Sequence, residues 1–302
     1  MPDVDYAQTA QQFHEKLDDL QFGQTADSGT FFLVEEELLP PAEMVSRRML
    51  VLQLAYILDR TLVLRPCDDA HYPEPYLPLC SITYEDIADY SARQASFDIE
   101  QRDKVVRFDF SSFWANSRLR RYFFPWAPPS FGSSKCPRMM FDGETLSRLH
   151  LSEEMTRRVQ HVKDGIWSDQ PVIGLFVGRG GELASEEDAP LAALLEQVSR
   201  IQTAQGVERV LVFGATADDR GAVEDASGFE FAELDGEGSE PFVALVGLEL
   251  LSACDWVVGR VTADAARIAA ARSGVRLLRC DRHRLVACEP ERRTLGRLFG
   301  KG

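Results

Sequence analysis

Short apolar segments alternate with helical segments through the second half of the chain, and this alternation constrains the fold more than any other feature. The sequence predicts strands at Val172–Val177, Glu208–Phe213, Phe229–Ala232, Asp255–Val258 and Val275–Leu278. It predicts helices at Ala189–Gln205, Pro241–Cys254 and Asp264–Arg272. Strands and helices that alternate at this spacing are typical of a parallel sheet that is covered on both faces.

The first half carries a shorter version of the same pattern. Strands at Thr30–Val34 and Thr61–Leu64 flank a buried helix at Glu43–Leu58, which together make a βαβ unit. A strand at Val105–Phe110 and a helix at Glu144–Val162 follow. We therefore predict an α/β chain with an N-terminal domain at 1–165, a C-terminal domain at 166–302 and a cleft between two facing parallel sheets.

Charge and hydropathy restrict the function classes. The formal net charge of -15 argues against non-specific binding of nucleic acid or anionic membranes. No apolar run is long enough to span a membrane, and the acidic first 20 residues do not resemble a signal peptide, so we expect a cytoplasmic protein. An anionic ligand would need a local cluster of basic residues.

The cysteines do not form a recognisable metal or disulfide pattern. They include no CxxC pair and stand at Cys67, Cys80, Cys136, Cys254, Cys280 and Cys288. We expect reduced thiols and no bound metal.

The strand at Val172–Val177 ends in a cluster of glycines around one arginine. The segment Pro171–Glu182 reads PVIGLFVGRGGE, with Arg179 between Gly178 and Gly180. Glycines let the backbone approach a ligand, and a guanidinium matches phosphate oxygens. A phosphate clamp and a tight turn with a solvated arginine both fit this stretch.

Two further loops are expected at the same edge of the sheet. Gly214–Asp219 places Thr216 and Asp218 there, and Gly259–Asp264 (GRVTAD) places Thr262 before a helix with Arg267 one turn along. Free backbone N–H groups at a helix N-terminus bind anions, although plain N-capping explains Thr262 and Asp264 equally well. The chain has neither GxGxxG nor GxxxxGK[ST], so a classical dinucleotide site or P-loop is not indicated.

In the first half, Glu43, Arg47 and Arg48 lie near the start of the predicted helix. Ligands of βαβ units bind at the carboxyl ends of the strands, close to such a helix start. A solvated first turn is the competing interpretation.

These segments, taken in order, resemble the fucosyltransferase superfamily of protein O-fucosyltransferases and α1,6-fucosyltransferases. PVIGLFVGRGGE is similar to the family segment IGxHxRRGD, GATADD to its ATD-type strand end, and ALVGLELLSACDWVVGRVTADAARIAA to its final D-[YF]-x-VG-T-x-S-S motif. LQLAYILDRTLVLRP resembles the N-terminal ALAYLLNRTLVLPP pattern, and PPAEMVSRRM resembles PPEGFNLRRD of the thrombospondin-repeat enzymes. The resemblance covers roughly residues 30–66 and 144–275.

The resemblance implies a GT-B-like architecture of two Rossmann-type domains. It also implies a glycosyltransferase that moves fucose from GDP-fucose to a protein or glycan hydroxyl with inversion, and that needs no metal or cofactor. Arg179 and Arg47 would stabilise the leaving diphosphate and Glu43 would be the general base, with Glu182 as second choice. The expected substrate-binding residues are Arg48, Gly178, Gly180, Glu182, Thr216, Asp218, Thr262, Ala263, Asp264 and Arg267.

The chain also departs from the family pattern. The family histidine is Phe176, the first arginine of the RR pair is Gly178, and the hydroxyl pair is reduced to Thr262 and Ala263. The family uses that first arginine most directly on the β-phosphate. A non-catalytic protein of the same fold that binds a nucleotide sugar or a protein partner is therefore the alternative function, and a purely structural domain is a third.

Overall fold

The structure is a computed structural model. It describes residues 6–25, 29–37, 39, 41–65, 82, 86, 104–116, 118, 137–167, 170–178, 190–215, 217–224, 229–231, 240–260, 264–273, 276–280 and 285–288. Helices and strands alternate in both halves, and all but one of the strand pairings among these residues are parallel. The predicted α/β fold class with parallel sheets is confirmed.

The first half contains a three-stranded sheet with helices around it. Its elements are α1 (Tyr6–Phe22), β1 (Phe31–Glu35), α2 (Pro41–Leu58), β2 (Thr61–Arg65), β3 (Val105–Phe108), α3 (Phe110–Ala115), α4 (Pro137–Leu146) and α5 (Glu153–Ile166). The strand order is β2-β1-β3, and both pairings are parallel. The central strand is buried from Phe31 to Val34, which explains its unbroken apolar run.

The second half contains a six-stranded sheet. Its elements are β4 (Val172–Phe176), α6 (Leu191–Gln205), β5 (Arg209–Phe213), α7 (Ala217–Glu224), β6 (Phe229–Phe231), α8 (Glu240–Ala253), β7 (Trp256–Arg260), α9 (Asp264–Ser273), β8 (Arg276–Cys280) and β9 (Leu285–Cys288). The strand order is β6-β5-β4-β7-β8-β9, and only β9 runs antiparallel to its neighbour. The sequence prediction missed this last edge strand.

The two sheets are separate, but one of the apolar clusters contains residues of both. Every strand of the first sheet precedes Asp164, and every strand of the second follows Gln170. Helices α8 and α9 of the second half pack against α2 of the first, and one cluster of buried residues contains both Phe32 of β1 and Val257 of β7. The limits of the two predicted domains, at 165 and 166, stay a prediction.

The helix predicted at Glu144–Val162 is two helices in the structure. Helix α4 ends at Leu146, and α5 begins after Ser152, whose hydroxyl accepts a hydrogen bond from the Met155 N–H at 3.3 Å. The serine hydroxyl accepts a hydrogen bond from a backbone N–H that has no carbonyl partner in the first turn of a helix. In a continuous helix, that N–H would already be bonded to a carbonyl of the preceding turn. The apolar periodicity carries through the break, which is why the pattern predicted one helix.

Of the cysteines, the structure describes the thiol of Cys254. It is buried beneath β4 and is not part of a disulfide. Burial raises the pKa of the Cys254 thiol, and the neighbouring Asp255 raises it further. The reduced state of the remaining cysteines stays a prediction.

Candidate functional site

Each sheet has a topological switch point, which is the place where strands that come later in the chain are added on the opposite side of a central strand. Strand β4 is followed by β5 on one side, whereas β7 lies on its other side; in the first sheet, β1 lies between β2 and β3 in the same way. Ligands of open α/β sheets bind outside the carboxyl ends of the strands at such points. The ends of β4 and β7, and those of β1 and β3, are therefore the two places where the fold itself provides a site.

At the end of β4, one aromatic ring covers two glycines. A Cβ atom added at Gly178 would lie 2.8 Å from the ring of Phe176, and one added at Gly214 would lie 2.9 Å from the same ring. Gly214 follows β5 and has a φ of 68°, a conformation that favours glycine. The absence of side chains at both positions is therefore a requirement of the packing around Phe176.

Arg260 at the end of β7 was not predicted from the sequence. Its side chain is buried, with 6% of the residue exposed, and its Nη1 donates a hydrogen bond of 2.5 Å to the carbonyl oxygen of Val177. Gly259 is paired with Phe176 across the sheet, so Arg260 lies beside the last residues of β4. A buried guanidinium thus sits at the switch point between β4 and β7, next to Gly178.

Several predicted site residues lie outside the residues that the structure describes. These are Arg179, Gly180, Glu182, Thr216, Thr262 and Ala263. Asp218 belongs to α7 and Asp264 is the first residue of α9, but their side chains are not described. Their predicted roles stay predictions.

Arg267, which we expected to hold phosphate oxygens, contacts the first half of the chain. Its Nη1 lies 2.6 Å from Oδ2 of Asp142 on α4, and its Nη2 donates to the hydroxyl of Ser46 on α2 at 3.2 Å. Asp142 is 1% exposed and also contacts Nε of Arg138 at 2.8 Å and Nε2 of Gln53 at 2.9 Å. These contacts join the two halves through a buried cluster of polar groups.

In the same cluster, the guanidinium groups of Arg138 and Arg267 both contact the carboxylate of Asp142. Burial lowers the pKa of Arg138, and the nearby charge of Arg267 lowers it too, whereas the carboxylate of Asp142 raises it. Asp142 is therefore the carboxylate that pairs with two partly buried guanidinium groups and offsets part of the cost of burying them.

In the first half, a pocket of about 240 Å³, counted with the space open to solvent, lies at the carboxyl ends of β1 and β2. Its apolar walls include Val34 and Leu64, and its charged groups are Glu36, Glu37, Arg47 and Arg48. The structure thus brings the two predicted arginines together at one pocket, together with two glutamates that the prediction did not include.

The two arginines differ in how firmly they are held. Arg48 and Glu36 are 5% and 7% exposed and form a two-point ion pair, with distances of 2.5 Å and 2.6 Å. Arg47 pairs with the exposed Glu37 at 2.8 Å, and its guanidinium lies 4.6 Å from the centre of the Phe110 ring. An exposed pair contributes only about 0–1 kcal/mol, so Arg47 can exchange its carboxylate for another anion at low cost, whereas Arg48 cannot.

Glu43, the predicted general base, lies in the first turn of α2 and is partly exposed. A carboxylate in the first turn of a helix interacts favourably with the helix dipole. Because α2 begins after the carboxyl end of β1, Glu43 lies on that side of the first sheet. Its role as the general base stays a prediction.

Arg260, Asp142 and Glu36 are the residues that sequence reasoning missed. For Arg260 a signal existed, because an arginine two residues after the predicted strand Asp255–Val258 is costly to bury and needs partners. For Asp142, the i,i+4 spacing from Arg138 is a local signal, but nothing local indicates its contact with Arg267, which is 125 residues away. Glu36 is one of three consecutive glutamates, and the sequence does not say which of them turns inward.

No cluster of metal-binding side chains occurs among the residues that the structure describes. Within the same part of the chain, the helices are too short or too polar to cross a membrane. No family model and no curated protein matches the sequence.

Solved structures of fucosyltransferases share the fold. The NodZ alpha-1,6-fucosyltransferase, in a crystal soaked with GDP-fucose, matches over 87% of this chain and 99% of that chain with a TM-score of 0.53 and 15% sequence identity. NodZ from Bradyrhizobium gives a TM-score of 0.54 at 14% identity over the same shares of the two chains. A variant of Arabidopsis thaliana FUT1 in complex with GDP gives a TM-score of 0.53 at 13% identity over 92% of this chain and 75% of that chain.

The fold is therefore fucosyltransferase-like. The likeness extends over nearly the whole of NodZ, so both sheets take part in it. The resemblance inferred from the sequence motifs is confirmed at the level of the fold.

Proposed function

We propose that this protein is a nucleotide-sugar-binding glycosyltransferase whose donor is GDP-fucose. The observation that carries the proposal is the end of β4, where bare glycine backbone and a buried arginine meet at the switch point of a parallel sheet. Backbone N–H groups and guanidinium groups are the partners that diphosphates require. The fold likeness to NodZ in its GDP-fucose crystal supports this choice of donor.

In the proposed reaction, an acceptor hydroxyl attacks the anomeric carbon of the donor as the bond from that carbon to the diphosphate oxygen breaks. Glu43 takes the hydroxyl proton, and GDP leaves with the bonding electrons. Arg179 and Arg47 stabilise the charge that develops on the diphosphate, which is usually the largest catalytic term. No metal takes part, the acceptor is a protein or glycan, and the reaction takes place in the cytoplasm.

A second candidate function is supported by one observation. Gly178 stands where the family has its first arginine, and both Arg47 and Arg48 already contact glutamates. A protein that binds GDP-fucose without transferring the sugar would show these features. The two functions differ only in turnover.

A panel of nucleotides tests the proposal. We expect GDP and GDP-fucose to raise the melting temperature in a concentration-dependent way, because a ligand that binds only the native state adds about 2.7 kcal/mol of stability at 100 times its Kd. UDP, dTDP and their sugars are the matched controls and should have smaller effects. A melting temperature that none of these ligands changes would contradict both candidate functions, and release of GDP from GDP-fucose in the presence of acceptors separates them.

Substitution of Arg179 tests the predicted clamp. We expect Arg179→Ala to weaken GDP binding by about 1.5–3 kcal/mol, because a charge-assisted contact to the diphosphate is lost. Arg179→Lys should recover only part of this loss, since an ammonium group lacks the planar two-point contact. If Arg179→Ala instead lowers the melting temperature and leaves GDP affinity unchanged in calorimetry, the residue is structural.

A further inference from the structure

We propose that Arg260 is a second diphosphate-binding cation, which supplies from β7 the charge that Gly178 lacks on β4. This inference rests on the proposed function and deepens it. It assigns a ligand role to a residue that is not among the predicted site residues.

The position of Arg260 is the first argument. Strands β4 and β7 are adjacent and parallel, and Gly259 is paired with Phe176. The guanidinium of Arg260 binds the carbonyl oxygen of Val177, which is the last group of the chain before Gly178. The positive charge of Arg260 therefore lies close to the backbone of residue 178, where the side chain of an arginine at that position would begin.

The packing around Phe176 is the second argument. A Cβ atom at Gly178 would lie 2.8 Å from the Phe176 ring, so this chain cannot carry an arginine there without moving the ring. The ring of Phe176 and the bare backbone at Gly178 are thus coupled through packing. A cation near the backbone of Gly178 therefore has to come from a neighbouring strand. Strand β7 is the neighbour of β4 at the switch point.

The chemistry of the guanidinium is the third argument. Arginine has five N–H donors in a planar fork, so one group can hold a backbone carbonyl and a phosphate oxygen at the same time. In a chain with a net charge of -15, an anion is retained only where cations are placed locally. A buried arginine at the switch point meets that requirement, because low-dielectric surroundings strengthen its attraction for phosphate.

Arg209 provides a matched control on the same sheet. It begins β5 at the opposite, amino edge, and its guanidinium pairs with Glu230 of β6 at 2.9 Å. Its removal changes the net charge by the same amount as removal of Arg260. It lies away from the carboxyl ends of the strands, where the diphosphate is proposed to bind.

The test compares the affinities of GDP and guanosine for each variant, by calorimetry and ligand-observed NMR. We expect Arg260→Met to lower the affinity for GDP by about ten- to a hundred-fold and to leave that for guanosine nearly unchanged, because only the diphosphate contact is lost. Arg260→Lys should recover part of the GDP affinity. Arg209→Met should bind both ligands like the unsubstituted protein.

Two outcomes in Arg260→Met would overturn the inference. Equal losses for GDP and guanosine would mean that Arg260 only supports the end of β4. No loss for either ligand would mean that Arg260 does not contact the diphosphate. Should Arg260→Met fail to fold, Arg260→Gln decides, because its amide keeps an N–H donor for the Val177 carbonyl but carries no charge. It loses affinity for GDP and not for guanosine if Arg260 is a second cation, and it loses both or neither if Arg260 is not.

Failure of the inference is distinguishable from failure of the proposed function. If the unsubstituted protein binds neither GDP nor guanosine, the proposed function is wrong and the role of Arg260 falls with it. If it binds GDP and the Arg260 variants keep the same preference for GDP, only the role of Arg260 is wrong.

Discussion

Replacement of Asp142 by asparagine is expected to lower the free energy of unfolding by about 3–5 kcal/mol. The amide keeps the shape of the side chain but removes the negative charge that lies 2.6 Å from Arg267 and 2.8 Å from Arg138. Two guanidinium groups would then remain in a buried place without this carboxylate, and such charges are costly. Urea unfolding, followed by fluorescence and circular dichroism, measures the loss.

Glu196→Gln is the control for Asp142→Asn, because it removes one carboxylate from an exposed i,i+4 pair with Arg200 on α6. We expect a loss of no more than about 0.5 kcal/mol there. If Asp142→Asn costs as little as the control, water reaches the buried cluster and the link between the two halves of the chain is weak. The phosphate contact that the sequence predicted for Arg267 stays a prediction in either case.

The second large effect is expected at the ion pair of Arg48 and Glu36. Arg48→Met should lower the free energy of unfolding by about 3–5 kcal/mol, because it leaves the carboxylate of Glu36 buried without its main cation. The double variant Arg48→Met/Glu36→Leu should recover most of this loss, since two apolar side chains then face the apolar walls of the pocket. A double-mutant cycle on thermal or urea unfolding measures both values.

The opposite result would support the substrate-binding role that the sequence predicts for Arg48. If Arg48→Met keeps its stability and instead weakens donor or acceptor binding, Arg48 is a ligand-binding residue and Glu36 only orients it. Arg47→Met, in which the exposed pair with Glu37 is lost, is the matched comparison, and we expect it to cost no more than about 1 kcal/mol of stability.

The sequence by itself determined the fold class. Runs such as Thr30–Val34 and Val172–Val177 are apolar over the length of a strand. In the segments between such runs, the apolar residues recur with the period of a helix. These patterns are local, because burial on both faces of a parallel sheet requires apolar residues at every position of the strand. The order of the motifs along the chain was enough to indicate the fucosyltransferase-like fold, which the comparison with NodZ confirms.

The sequence also placed the candidate site at the strand ends, since βαβ connections bring the carboxyl ends of parallel strands to one edge. It could not say which charged residues are available there. Arg47 and Arg48 are neighbours with the same side chain, but one pairs at the surface and the other inside the protein. Which residue turns inward depends on helix packing and on where the loop after β1 runs.

Only the tertiary structure decided which residues at the strand ends contact each other. Phe176 ends β4, Gly178 comes after it and Gly214 follows β5, whereas in space one ring covers both glycines. Arg260 is 83 residues from Val177, and Asp142 is 125 residues from Arg267, so no local pattern reveals either contact. Electrostatic partners are set by distance in space and by burial, which a periodic pattern along the sequence does not encode.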